Sequence, residues 1–172
     1  MRKTKQQAQE TKDSILLAAL KCFSEKGYFN SSLDEIARQA EVTRGAVYWH
    51  FKNKAEIFDA LHEQLHEPFI HKILLDLENE SQQPIEQLKQ LCIKLLQDLS
   101  ENPIKVCTMK LFFQCDYSGE LTQFKTKHLD KKLQSLVLFE EYFKRAQKNN
   151  LINSQTNPHI LTLTLHCFLK GL

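Results

Sequence analysis

Three groupings of side chains in this 172-residue sequence have types and spacings suited to chemistry. The first is the run Tyr48-Trp49-His50, set close to Arg44, Lys52 and Lys54. Aromatic and basic groups interleaved at helical spacing suit a helix entering the DNA major groove, where cations meet phosphates and polar groups meet base edges. The second is His62-Glu63-Gln64-Leu65-His66, which matches HExxH. On a helix the two imidazoles share one face and can hold zinc, with Glu63 as general base. The continuation His66-Glu67-Pro68-Phe69-Ile70-His71 has no Gly and puts the third His one residue off a metzincin register. The third is the aromatic set of Phe112-Phe113 and the stretch Leu133–Phe143. Most of it reads as core packing, and part of it suits the lining of an apolar pocket between helices. Asp116 and Glu120 read as a solvated carboxylate pair, and no GxSxG motif is present.

The elements that must position these groups are helical. Ser32 caps a short helix, with Glu35 three residues on completing a capping box, and Ile36, Ala37 and Ala40 form its apolar face. Glu41-Val42-Thr43 breaks the pattern, and Thr43 caps a second short helix in which Val47 and Phe51 bury together. An earlier helix runs to about Lys26 and stops at Gly27, its buried face being Ile15, Leu16, Ala19, Leu20 and Phe23. Asn53 with Glu56 opens a helix carrying Ile57, Phe58, Leu61 and Leu65, which resumes beyond Pro68 as one kinked helix or two stacked pieces. Pro84, Pro103 and Pro158 each open a further apolar periodicity, predicting helices near 84–100, 103–117, 121–149 and from 158 onward. No segment alternates with period two over the length of a strand, so the fold is predicted to be all-α.

The stretch Ser32–Lys54, and VTRGAVYWHFKNK within it, resembles the helix-turn-helix of the TetR family of bacterial repressors, in particular its AcrR-like branch of efflux regulators. The likeness extends upstream through RKTKQQAQETK and FSEKG. It implies a DNA-binding head over 1–54 and a helical ligand-binding and dimerisation body over 55–172. By this resemblance Ser32, Thr43, Tyr48, His50 and Lys54 contact phosphates, Arg44, Gly45 and Ala46 approach bases, and Trp49 packs at the groove edge. It further implies a homodimer on a palindromic operator, released by a small apolar or cationic effector and controlling multidrug efflux, with no cofactor and no catalytic residue. Phe112, Phe113, Phe139 and Phe143 are the candidates for an effector pocket, and His62 and His66 remain the metal-binding alternative. Glu41 departs from the family pattern, which has Gly there, and predicts a different turn or about 1 kcal/mol of strain.

Composition agrees with this reading. Four Gly and four Pro are too few for a turn-rich β fold or a Gly-rich phosphate loop. No apolar run is long enough to span a bilayer and the N-terminus is polar, which predicts a cytoplasmic protein. Five scattered Cys without a CxxC pair read as buried thiols. The net charge of +2 conceals ten Lys+Arg against six Asp+Glu in residues 1–54 and thirteen against fifteen thereafter. A basic head on a mildly acidic body fits a DNA reader joined to a ligand-handling domain. Arg2, Lys3 and Lys5 suit an arm on the DNA backbone or a plain frayed terminus. The sequence closes inside an apolar pattern, Phe168–Leu172, where the resemblance predicts one more helix to complete the dimer interface.

Overall fold

A computed structural model describes residues 4–171; Arg2, Lys3 and Leu172 lie outside the described residues. These residues form α1 (Lys5–Lys26), α2 (Leu33–Gln39), α3 (Arg44–His50), α4 (Lys54–Glu78), α5 (Pro84–Glu101), α6 (Pro103–Gln114), α7 (Thr122–Lys148) and α8 (Pro158–Gly171), with one 3-10 turn at Gly119–Leu121. The chain divides into two compact units.

The first unit holds the chain through Leu65 together with Pro103–Lys125. Ile15, Leu20 and Phe23 of α1, Ile36 of α2, Val47 of α3 and Phe51 just after it bury together, the small core that their spacing predicts. Ile57, Phe58 and Leu61 from α4, Phe112 from α6 and Leu121 enlarge it. The expected division after residue 54 therefore does not describe the compact units. Apolar groups far along the chain complete the head core, and periodicity within α6 cannot say which core its face joins. Thr4 and Ser32 both form full capping boxes, with Gln7 and Glu35 respectively. Gly27 ends α1 with φ +82°, its N–H donating to the Phe23 carbonyl at 2.9 Å.

The second unit holds His66–Asn102 and the chain from Thr126 on. Its core is Ile73, Leu77, Leu88, Leu91, Phe139 and Tyr142, with Phe69, Cys92, Leu138, Phe143 and Leu165 packed against them. Tyr142 donates from its hydroxyl to Asp76 Oδ2 at 2.7 Å, and Arg145 donates to the Leu77 carbonyl at 2.9 Å. Both bonds tie α7 to α4. Pro84, Pro103 and Pro158 are each the first residue of their helix, where the missing N–H costs nothing.

α4 passes through Pro68 as one helix, not two stacked pieces, with apolar groups buried on both sides of the proline. One element expectation is corrected. α6 ends at Gln114 rather than residue 117. Ser118 turns its hydroxyl onto Asp116 Oδ2 at 2.9 Å, a local bond that competes with helix propagation. The reading of all five thiols as buried also needs correction: Cys22 is buried, Cys92, Cys107 and Cys115 are half-buried, and Cys167 is exposed.

Candidate nucleic-acid interface

The interface is built on a short closed path. α2 starts at its Ser32 cap, whose Oγ accepts the Glu35 N–H at 3.2 Å. It ends in a Schellman turn: Val42 N–H reaches the Ala37 carbonyl at 3.0 Å and Glu41 N–H the Arg38 carbonyl at 3.2 Å. Glu41 occupies the left-handed position of that turn with φ +56°. The chain thus keeps the turn geometry and accepts the strain of a side chain there. Thr43 Oγ1 then accepts the Ala46 N–H at 3.1 Å and starts α3.

Val47 is fully buried and fixes α3 to the core, while Arg44, Gly45, Tyr48 and Trp49 face solvent. Trp49 is 72% exposed, which for the one Trp of the sequence is a large unburied apolar surface. His50 lies edge-on to it at 4.4 Å between ring centroids. The Arg44 guanidinium stacks 5.5 Å from the Tyr48 ring centroid, donates to its hydroxyl at 3.3 Å and pairs with Asp34 Oδ1 at 3.2 Å. The Tyr48 hydrogen bond first, and the Asp34 charge second, raise its pKa further. All three groups are exposed, so the pair is loosely held and can exchange for DNA groups. Nothing in the sequence marked Asp34 as a partner of Arg44; its place in the first turn of α2 was the available signal.

The start of α4, just after α3, is fixed by two further bonds. Glu56 N–H donates to Asn53 Oδ1 at 2.9 Å, and Lys52 N–H donates to Glu56 Oε2 at 2.8 Å. Lys54 reaches back to the segment that precedes α2. Its Nζ donates to the Tyr28 carbonyl at 2.7 Å and the Ser31 carbonyl at 2.9 Å, and lies 4.3 Å from the Tyr28 ring centroid. Burial lowers its pKa, opposed by the nearby charge of Glu120.

The aromatic candidates separate between the two cores. Phe112 packs edge-on against Phe58 at 4.9 Å in the first unit, and Phe113 on the same helix is 48% exposed. Phe139 and Phe143 belong to the second core. The aromatic stripes thus divide between two clusters. His62 is buried edge-on against Phe112 at 5.0 Å, and His66 lies 5.7 Å from the His128 ring in the second unit. Burial foremost, then the charges of His128 and Lys131, push His66 down to about 4, so it is neutral at physiological pH.

A helix-turn-helix with a cationic, aromatic outer face has counterparts among known proteins. Residues 15–61 match the family model of bacterial regulatory proteins of the tetR family, and residues 83–172 that of the C-terminal region of MAATS-type transcriptional repressors. The HTH-type transcriptional regulator AcrR of Shigella flexneri is 31% identical over 99% of this chain and 80% of its own length. The chain belongs to the TetR family. Among solved TetR-like structures, the SmeT–triclosan complex superposes with a TM-score of 0.83 at 30% identity, covering 94% of this chain and 77% of that one. NalD, the secondary repressor of the MexAB-OprM multidrug efflux pump in Pseudomonas aeruginosa, gives 0.78 at 32%, covering 97% and 83%. The TetR-family assignment makes the chain a DNA-binding transcriptional regulator. It also answers the hydrolase alternative at HExxH, since the matched relatives are regulators and not enzymes. No helix among the described residues is long and apolar enough to cross a membrane.

Proposed function

We propose that this protein represses a multidrug-efflux operon by binding a palindromic operator as a homodimer through α3, and leaves the DNA when an apolar or cationic compound binds its helical body. The observation that carries the reading is the exposed face of Arg44, Gly45, Tyr48 and Trp49 on a helix that Val47 anchors. Arg44 and the backbone at Gly45 and Ala46 read base edges. Ser32, Thr43, Tyr48 and His50 hold phosphates, and Trp49 closes the groove edge. Two recognition helices reading a two-fold site need centres about 34 Å apart, or a multiple of that, which a dimer supplies. The efflux role is supported by the printed roles of the relatives, NalD among them, and the effector class by the triclosan held in SmeT. The place of action is the cytoplasm, where the chromosome is.

The test starts by enriching duplexes on the wild-type protein from a random-sequence pool. Triclosan and a panel of apolar cations are then titrated with and without the enriched duplex, following Trp49 fluorescence. A coupling of about 1–3 kcal/mol weakens DNA binding roughly 5–150-fold, and by linkage the DNA weakens the compound by the same factor. Equal affinity for the compounds in both conditions excludes them as effectors. An unenriched pool excludes sequence-specific binding altogether.

A further inference from the structure

Lys54 is the first residue of α4, and Tyr28–Ser31 immediately precede the Ser32 cap of α2. The whole helix-turn-helix lies between these points. The Lys54 ammonium bridges them directly, donating to the Tyr28 and Ser31 carbonyls at 2.7 and 2.9 Å with the Tyr28 ring 4.3 Å away. Three of the features that would hold such a group are present: two carbonyl acceptors, an aromatic face and the negative charge of Glu120 nearby. Tyr28 is itself 3% exposed and rings Phe23 and Phe58 at 5.2 and 5.4 Å, so the acceptor side is anchored in the core. Ser31 is held too, its hydroxyl donating to the Gly27 carbonyl at 2.8 Å.

From this geometry we infer that Lys54 is a positioning residue, which closes the helix-turn-helix into a loop and sets the angle of α3, instead of contacting a DNA phosphate. The inference rests on the DNA-binding reading above. A lysine reaching phosphate would release one counterion and act on every sequence alike. A lysine whose Nζ donates to the Tyr28, Ser31 and Phe29 carbonyls at 2.7, 2.9 and 3.5 Å, with a ring beside it, has no donor direction to spare without opening the loop that holds α2. Its effect on DNA therefore passes through the orientation of α3, and base reading suffers more than backbone attraction. Arg in its place keeps the charge but presents a planar fork, which does not reproduce a compact ammonium seated over a ring between two carbonyls.

The experiment compares wild type, Lys54→Gln and Lys54→Arg on the duplexes enriched by the wild-type protein and on a random duplex, across a salt series. The expected result is about tenfold weaker binding to enriched duplexes for both variants, little change on random duplex, and an unaltered salt slope. Loss of about one unit of slope in Lys54→Gln, with wild-type behaviour in Lys54→Arg, would show a phosphate contact and overturn the inference. A general loss of folding alone lowers the thermal midpoint but leaves the specific-to-random ratio of the folded fraction unchanged, and that outcome also overturns it. Independently, acylation of the DNA-free wild-type chain followed by mass spectrometry should label the exposed Lys52 at least tenfold faster than Lys54. Equal labelling overturns the inference without any variant. If no duplex is enriched at all, the DNA-binding reading fails while the labelling result still stands.

Discussion

At the scale of single residues, Arg44 and Glu41 make separable contributions. Arg44 stands on the solvent face of α3, tied to the exposed Tyr48 and Asp34. A guanidinium there is free to make a bidentate bond to guanine O6 and N7. Arg44→Ala is expected to reduce discrimination among enriched duplexes roughly 5–150-fold while random duplex binds nearly as before. Equal loss on both in a competition assay would remove its base-reading role. Glu41 sits at φ +56° in the Schellman turn between α2 and α3, where a Cβ is disfavoured and Gly is not. Glu41→Gly should stabilise the chain by about 1 kcal/mol in a urea titration, with an unchanged m-value. A destabilised variant would mean that the Glu41 side chain makes a contact outweighing its backbone strain.

At the scale of elements, the Tyr142–Asp76 hydrogen bond is one of those that join α4 to α7 in the second unit. The Tyr142 ring is fully buried and its hydroxyl reaches Asp76 Oδ2 at 2.7 Å. Burial, and the bond to Asp76 after it, push the phenol pKa well above its ordinary value, so the hydroxyl remains a donor throughout the accessible pH range. Tyr142→Phe keeps the packing and leaves the carboxylate without this donor, at a cost of about 1–3 kcal/mol. Denaturant unfolding measures that cost. A change below about 0.5 kcal/mol would show that water replaces the bond fully. The same comparison belongs at the level of helices because no single face of α7 predicts it: Asp76 and Tyr142 are 66 residues apart.

For the whole molecule, the titration of His66 links pH to stability. Its pKa falls to about 4 in the folded chain, chiefly through burial, with His128 and Lys131 adding to the shift and Glu67 opposing it. An unfolded His titrates near 6.5. Between these values the unfolded state binds more protons, so this contribution is complete above about pH 6.5 and is lost progressively as pH falls towards 4. The loss amounts to about 3 kcal/mol at the acid end of the window. His66→Gln should flatten the stability profile between pH 6.5 and 4 in denaturant titrations. A profile unchanged by the substitution would show that His66 remains accessible to protons in the folded protein.

Much of this protein was legible from local chemistry. Capping by Ser32 and Thr43, the stop at Gly27 and the openings at Pro84, Pro103 and Pro158 are encoded within a few residues of where they act, so the helices and the solvent-facing run of α3 follow from neighbouring side chains alone. The resemblance carried by VTRGAVYWHFKNK extended that local reading to a function. Three features needed the folded chain. Phe112 joins the head core and Phe139 the other, because a helical stripe shows that a face is buried but not against what. Residues 54 and 55 do not divide the compact units, because α4 supplies apolar groups to both cores. And Lys54, which by type and position reads as one more cation for DNA, turns onto the carbonyls of Tyr28 and Ser31, acceptors that every residue carries and no sequence distinguishes.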